Sequence, residues 1–302
     1  MNSAGLLTVR ASWQGGALED IGVELKRPSV TKLFIGQIPD AVVKAIPYLY
    51  TLCAHAQRAV AQAALAAASG EIRRPVDNTE LWIEMLHEDF WRLLLDWPQA
   101  LGLPPAHEAF AVWRSARQGN ACLAETQKLL ANSLRPFGER CLAALPEGES
   151  PDVPAEPEPF PSALDQWLAY WLGNSDRRPA MSRPVSVRAA FLQRLAQTER
   201  TVQALAAGAA YPVAALGAGG WGVAQTVTAR GVLTHAVHVV EGRVENYRVL
   251  APTDALFADA GALSGLLAGR RFAVLDEARR GLEQAILALD PCLPYAMDLQ
   301  HA

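Results

Sequence analysis

The stretch Leu289-Asp290-Pro291-Cys292-Leu293-Pro294-Tyr295, close to the end of the chain, decides how the fold is interpreted. A helix is predicted over about residues 275–289, and Pro291 stops it because proline cannot continue a helical hydrogen-bond pattern. Cys292 is thereby left on irregular backbone, where a ligand can reach its thiol. We therefore take Cys292 as a candidate ligand, although an ordinary buried cysteine explains it equally well when it is considered alone.

A second candidate cysteine, Cys53, lies near the other end of the chain on a predicted helix, with His55 and Arg58 close by in sequence. A thiolate needs a cation or a metal to lower its pKa, and soft thiolates suit iron, nickel or zinc. Burial in a core is the competing explanation for Cys53. His55 also has two interpretations: a ligand or base beside a metal, or a solvated helix histidine.

The composition narrows the class of protein. The chain has 302 residues, a formal net charge of −4, 51% hydrophobic and 19% charged residues. This weak acidity argues against a nucleic-acid-binding protein, which would carry a basic face. We find no signal-peptide pattern and no apolar run that reaches the length of a membrane span, and the four cysteines form no close CxxC pair. The sequence thus predicts a cytoplasmic protein with reduced thiols and no membrane insertion.

Patterns along the chain predict an α+β fold that is mostly helical, with a long-helix bundle and small antiparallel β-sheets near both termini. A hairpin is predicted over about residues 6–25, followed by helices and strands. Pro47 should interrupt the first helical stretch, so that the helix carrying Cys53 begins at Pro47. The helices are predicted at about 40–69, 78–97, 107–118, 121–145, 162–172, 185–207 and 275–289, and the later strands at 223–228, 232–240 and 243–250. We expect a single domain over 1–302 with a flexible acidic Pro-rich linker at 146–161.

Both ends of the chain carry motifs that resemble those of nickel–iron hydrogenase large subunits. Residues 290–295 resemble the C-terminal DPCxxC motif of that family, and Leu52-Cys53-Ala54-His55-Ala56 falls where the family has its first CGxC motif. Further segments resemble the family's in the same order, at residues 27–28, 36–41, 94–97, 229–235, 242–247 and 251–253. The resemblance covers both ends of the chain and implies a hydrogenase-large-subunit-like fold.

Half of the family's metal-binding cysteines are missing. The family holds its nickel–iron centre with four cysteines, two from each motif, whereas the second positions of the two motifs are Ala56 and Tyr295 in this sequence. Asp298 stands where the family has a histidine, and residues 31–34 do not match its RGFE segment. Two thiolates cannot build the usual four-thiolate centre. We therefore expect that the protein is not an active hydrogenase and not an enzyme.

A shortened large subunit with half of its cysteines resembles the HupK/HoxV group of hydrogenase accessory proteins. That resemblance implies an assembly scaffold that transiently carries the Fe(CN)2(CO) fragment, an iron with two cyanides and one carbon monoxide. The scaffold would hand this fragment to the apo large subunit of a nickel–iron hydrogenase. The implied partners are a HypC-type chaperone and that large subunit, and the implied metal ligands are Cys53 and Cys292.

The resemblance also assigns roles around the metal. Arg230 matches the family's arginine that sits over the metals, and a guanidinium donates hydrogen bonds in a fixed fork. Thr253 matches a segment whose hydroxyl and amides face a cyanide, and Asp290 could orient Arg230. A surface position at a strand end is the competing interpretation of Arg230.

The sequence also allows other functions for the protein. The protein could be a metal-free mimic of the large subunit that binds maturation chaperones, or an unrelated hydrolase, although no GxSxG motif occurs. Cys122 and Cys141 are most simply core residues on amphipathic helices. His235 and His238 are three apart on a strand, so they should face opposite sides and cannot pair as ligands.

Overall fold

The computed structural model describes residues 5–145, 160–179 and 183–301. Apart from its last two residues, the predicted linker at 146–161 lies outside these ranges. Its flexibility and the single-domain organisation over 1–302 therefore stay predictions.

The fold is α+β and mostly helical, as the sequence predicts. The strands are β1 (Leu6–Gln14), β2 (Ala17–Lys26), β3 (Val213–Ala218), β4 (Trp221–Thr228), β5 (Gly231–Val240), β6 (Arg243–Leu250) and β7 (Tyr295–His301). The helices are α1 (Pro39–Leu49), α2 (Ala54–Ser69), α3 (Asn78–Trp91), α4 (Trp97–Ala100), α5 (His107–Ala116), α6 (Cys122–Leu129), α7 (Arg135–Ala144), α8 (Leu164–Trp171), α9 (Val187–Ala206), α10 (Pro252–Leu256), α11 (Gly261–Leu267) and α12 (Leu275–Leu289).

The two ends of the chain meet in one three-stranded sheet of order β2-β1-β7. Strands β1 and β2 form the predicted antiparallel hairpin. Strand β7 then pairs parallel to β1, in a register that runs from Leu7 opposite Tyr295 to Trp13 opposite His301. Local sequence patterns predict no strand in this tail. The pairing fixes the residues just before β7 close to the start of the chain.

The second sheet has the order β3-β4-β5-β6 and is antiparallel throughout. Helix α2 packs on it at very short range because small residues face each other. A Cβ atom on Gly222 would lie 1.9 Å from the carbonyl oxygen of Ala64, and one on Gly217 would lie 2.1 Å from that of Ala67. The Ala-rich helix and the glycines of the sheet thus fix the position of α2, which begins next to Cys53.

The start of α2 corrects one prediction. Pro47 lies inside α1, which continues to Leu49, and α2 begins only at Ala54 with Cys53 as its N-cap residue. The helix with Cys53 therefore does not begin at Pro47. Pro47 removes one backbone donor from α1, and the helix ends two residues later.

The largest core lies among the helices and contains side chains of α3, α9 and α12, with Phe90, Trp97 and Phe191 fully buried. The predicted long helices at 78–97 and 121–145 are each interrupted by a π-helical turn, at Arg92–Asp96 and Leu130–Leu134. Of the helices in the described part of the chain, none combines the length and apolarity needed to cross a bilayer.

A candidate thiol site formed by both ends of the chain

Cys53 and Cys292 lie within electrostatic reach of each other. Cys53 caps α2, and Cys292 follows α12 by three positions, just before the strand that pairs with β1. Beyond the effect of burial, a negative charge on Cys292 raises the pKa of Cys53. Charges on both sulfurs likewise add to the effect of burial in raising the pKa of the Tyr50 phenol. The topology thus brings one thiol from each end of the sequence to one place.

The Cys292 sulfur accepts a hydrogen bond from a guanidinium. Nη2 of Arg27 lies 3.0 Å from Sγ, although the two residues are 265 positions apart. Burial alone would lower the pKa of Arg27, but the charges of Cys292 and Asp254 outweigh it and hold that pKa above its usual value. The backbone N–H of Cys292 donates to the hydroxyl of Thr253 at 3.1 Å. Arg27 therefore holds the side chain of Cys292, and Thr253 holds its backbone.

The Cys53 sulfur has a more apolar environment. It packs against a buried cluster that includes Ala56, Trp82 and Tyr211. Burial raises the pKa of Cys53 to about 12, and the negative charge of Glu84 adds to this effect. The amide of Gln57 donates to Sγ at 3.6 Å. At neutral pH the unliganded Cys53 is thus a thiol that must lose its proton before it can bind a metal as a thiolate.

Glu84 caps the helix that begins beside Cys53. Its carboxylate accepts from the backbone N–H groups of His55 at 2.8 Å and Ala56 at 2.9 Å. These are two of the donors that a helix leaves free at its N-terminus. Burial raises the pKa of Glu84 to about 7 in spite of these hydrogen bonds. A carboxylate therefore lies against the backbone of Ala56, the position that lacks the cysteine of the family motif.

A buried polar chain runs from Cys53 into the second sheet. Oε1 of Gln57 lies 2.8 Å from Nε2 of His235, and Nδ1 of that ring lies 2.9 Å from the hydroxyl of Tyr247. Burial lowers the pKa of His235 to about 3, so the ring is neutral. Because the Gln57 oxygen can only accept, Nε2 of His235 donates and Nδ1 accepts from Tyr247. His238 is partly exposed on the other face, as the strand spacing predicts.

Asp290 and Arg230 belong to a buried charge network. The carboxylate of Asp290 accepts from Nε of Arg92 at 2.7 Å and from Arg194, and Nε of Arg230 lies 3.6 Å from it. Arg230 also donates to Glu88 at 2.8 Å. Burial would lower the pKa of Arg230, but the charges of Asp290, Glu88 and Cys292 raise it. Arg230 is thus a buried residue and not a surface residue at a strand end.

The Nε atom of Arg230 is buried and has no hydrogen-bond partner in the described part of the chain. A buried, unpaired donor costs free energy, so this atom is available to an acceptor. Charge on Arg230 also lowers the pKa of Cys53, opposing the larger effect of burial. The guanidinium is therefore close enough to act on both thiols.

The predicted site residue His55 and two positions at which the sequence departs from the family motifs, Tyr295 and Asp298, have other partners. The ring of His55 lies 2.9 Å from Glu80, and both side chains are partly exposed. Tyr295 places its hydroxyl 3.4 Å from Glu283, and Asp298 lies at the edge of the terminal sheet, 4.0 Å from Arg10. The side chain of His55 thus contacts Glu80, on the side of α2 that faces α3.

Cys122 and Cys141 are buried in the core, as predicted. Within residues 5–145, 160–179 and 183–301, no group of three or more His, Cys, Asp or Glu side chains is arranged to hold a metal ion. Cys53 and Cys292 stay the predicted metal ligands of the candidate site. The surrounding arginines supply positive charge and hydrogen-bond donors.

Sequence reasoning missed several residues of this site. Arg27 stood in the quoted Arg27-Pro28 pair, but nothing in its spacing connects it with Cys292. Gln57, one helical turn after Cys53, could have been found from the i to i+4 spacing. Arg92 and Arg194 carry no motif signal, because only the folded chain places them around Asp290.

Comparison with solved structures defines the class. The structure resembles the Ni-Fe-Se hydrogenase from Desulfovibrio vulgaris Hildenborough with a TM-score of 0.59 and 12% identity, covering 92% of this chain and 94% of that chain. It resembles the reduced, active Ni-Fe-Se hydrogenase from Desulfomicrobium baculatum with a TM-score of 0.60 and 11% identity, again over 92% and 94%. The fold is that of a nickel–iron hydrogenase large subunit.

Sequence comparison then identifies the family. The chain is 30% identical to the hydrogenase expression/formation protein HupV of Azotobacter chroococcum mcd 1, covering 99% of this chain and 100% of the relative. It is 31% identical to the hydrogenase expression/formation protein HupK of Azotobacter vinelandii, over the same shares of both chains. The protein belongs to this HupK/HupV family of hydrogenase expression/formation proteins. No protein-family model matches the chain.

Proposed function

We propose that this protein is a non-catalytic scaffold of hydrogenase assembly that transiently carries the Fe(CN)2(CO) fragment in the cytoplasm. It receives the fragment from a HypC-type chaperone and hands it to the apo large subunit of a nickel–iron hydrogenase. The observation that carries the proposal is the pairing of Cys53 and Cys292, from opposite ends of the chain, beside the charged guanidinium groups of Arg27 and Arg230. The family membership supports a role in hydrogenase formation.

The donor set suits such a cargo. Thiolates are soft donors that bind iron, and two of them add two negative charges to a fragment whose cyanides are also negative. Arg27 and Arg230 offset this charge. In binding, each thiol forms a sulfur–iron bond and releases its proton to the surrounding water.

Hydrogen-bond donors are available for the cyanides. The buried Nε of Arg230 lacks a hydrogen-bond partner in the described residues, and a charge-assisted bond to an anionic nitrogen would satisfy it. The Thr253 hydroxyl accepts from Cys292, which leaves its own hydrogen free to donate. Asp290 forms an ion pair with the guanidinium of Arg230, 3.6 Å from this Nε atom.

The small number of thiolates explains how the cargo could leave again. Ala56 and Tyr295 stand at the second positions of the two cysteine motifs, so the scaffold offers two thiolates where the enzyme family offers four. We expect the four-thiolate site to hold the cargo more strongly, because it offers soft donors that the scaffold lacks. Transfer to the large subunit is then downhill.

Infrared spectroscopy tests the proposal directly, because bound cyanide and carbon monoxide absorb where proteins do not. The protein is purified without oxygen from cells that contain the hydrogenase maturation proteins. We expect cyanide and carbonyl bands in the native protein and in the control Cys122→Ala, whose cysteine lies in the core. Cys53→Ala and Cys292→Ala should each lose the bands. A native protein without the bands, or a double cysteine variant that keeps them, would refute the carrier function.

One observation favours a second candidate, a metal-free mimic of the large subunit that binds the chaperone. Burial keeps Cys53 protonated, and the described residues hold no three-ligand cluster. Replacement of both Cys53 and Cys292 separates the candidates. A mimic would still support formation of active hydrogenase in cells, whereas a carrier would not.

A further inference from the structure

We propose that an apolar groove beside α1 is the docking surface for an acidic amphipathic segment of the protein that delivers the cargo. This inference rests on the proposed function, because it assumes such a delivering protein. The groove, here called the α1 groove, has a volume of about 320 Å³. Its lining is mainly apolar and consists of Leu33, Phe34, Gln37, Ala41, Val42, Ala45, Tyr48 and Leu49.

Large apolar side chains surround the α1 groove and are open to solvent. Tyr48 is 86% exposed, Leu33 is 62% exposed and Ile38 is 51% exposed. Burying such side chains against a partner is favourable, because it removes apolar surface from water. An exposed apolar patch of this kind marks an interaction surface more often than a random surface position does.

The charges at the rim of the α1 groove indicate what the partner carries. Lys32 and Lys44 are exposed, and in the described part of the chain neither lies within ion-pair distance of a carboxylate. Arg243 adds a third cation and donates to the carbonyl of Gly36 at 2.8 Å. The nearby carboxylate of Asp40 is already paired with an arginine. The rim is therefore positive, so carboxylates that flank an apolar stripe would complement it.

The α1 groove adjoins the thiol site along two routes. Leu49, at the end of α1, is followed by Tyr50, whose phenol interacts with the charges of Arg27 and both cysteines. The second route runs through the floor of the groove. The ring of Phe34 lies 4.9 Å from that of Tyr247, which begins the polar chain that ends at Cys53.

These two routes place a bound segment within a few side chains of the sulfurs. A groove of this volume admits a few side chains of one segment.

Binding measurements with purified HypC-type chaperone test the docking surface. We expect Tyr48→Asp to weaken the affinity at least tenfold, because it places a charge among the apolar side chains. The double variant Lys32→Glu/Lys44→Glu should weaken it by a similar factor and remove the salt dependence. Val112→Glu is the matched control, since Val112 is 51% exposed on α5. All of these positions are exposed, so the variants should fold.

Two results would overturn the docking proposal. One is an unchanged affinity for the chaperone in Tyr48→Asp and in the lysine variant. The other is a dimer of the native protein, seen by analytical ultracentrifugation, that Tyr48→Asp dissociates, because a second copy would then occupy the α1 groove.

The same measurements distinguish a failure of the docking proposal from a failure of the proposed carrier function. Unchanged chaperone binding in the groove variants, together with cyanide and carbonyl bands in the native protein, would remove the docking surface alone. Groove-dependent chaperone binding without those bands would remove the carrier function alone.

Discussion

Replacing Asp290 by Asn tests the charge network that supports the end of α12. The carboxylate faces Arg92, Arg194 and Arg230, and the side chains of all four residues are at most 14% exposed. The backbone of Asp290 has a φ of 45°, a conformation that Asn adopts as readily as Asp. The substitution therefore removes one negative charge while it preserves shape and backbone.

The expected loss of stability is large. Removing one partner of a buried ion pair costs about 3–5 kcal/mol. The loss here should fall near the lower end of that range, because Arg92, Arg194 and Arg230 keep Asp96, Asp89 and Glu88 as partners. Against a total unfolding free energy of about 5–15 kcal/mol, that is a substantial fraction. We expect Asp290→Asn to lower the Tm by roughly 5 °C. Urea unfolding followed by circular dichroism measures the free energy.

The pH dependence of the unfolding free energy tests whether the lost charge of Asp290 causes the loss of stability. Burial alone would raise the pKa of Asp290, but Arg194, Arg230 and Arg92 outweigh burial and hold it well below its usual value. The stabilisation from the charged carboxylate is thus fully present above its unfolded-state pKa and is lost as the pH falls through the folded-state pKa. The difference between native protein and variant should stay constant from about pH 5 to 8 and shrink below about pH 4.

Asp20→Asn is the control for this variant. Asp20 also has a positive φ, of 51°, but its side chain is exposed on the hairpin of β1 and β2. We expect a change within about 0.5 kcal/mol there. A loss of less than about 1 kcal/mol in Asp290→Asn at pH 7, or a difference that persists at acid pH, would refute the buried-charge explanation.

Three further predictions concern stability. The pKa of Glu84 is raised to about 7, so its buried charge should cost stability as the pH rises from about 4.5 through 7; Glu84→Gln should flatten this decline in urea unfolding between pH 5 and 8. A Cβ on Gly222 would meet a backbone carbonyl at 1.9 Å, so Gly222→Ala should lower the unfolding free energy by at least about 2 kcal/mol. Gly265→Ala is its control, because nothing lies within 4 Å of a Cβ there. The control should change the unfolding free energy by less than about 1 kcal/mol. Tyr247→Phe should cost about 1–3 kcal/mol in the same assay, because Nδ1 of His235 loses its donor, and a smaller loss would contradict the assigned tautomer.

Local signals in the sequence were sufficient for much of the fold. The helix over Leu275–Leu289 and the strand over Arg243–Leu250 have the predicted boundaries. Proline after the first and a tight turn before the second are strong local signals, because each acts through the backbone of its own residues. Tertiary context decided the rest. Strand β7 follows a proline and has no partner close in sequence, so only the folded hairpin shows that it completes a sheet.

The candidate site shows the same division. Cys53, Cys292 and Arg230 were found because motifs mark them, and the structure places all three within electrostatic reach of one another. The role of Glu84 could not be read from the sequence, because a carboxylate that caps another helix depends on how α2 and α3 pack. The contact of His55 with Glu80 depends on the same packing. Residue spacing describes one helix at a time, whereas these contacts join two.

The parallel pairing of β7 with β1 has a consequence for synthesis on the ribosome. The thiol of Cys53 leaves the ribosome well before Cys292 and the strand that fixes it. The two sulfurs can therefore meet only after β7 has been translated. A nascent chain that ends before β7 would present Cys53 without its partner thiol, so the order of translation itself prevents the two-thiol site from forming on an unfinished protein.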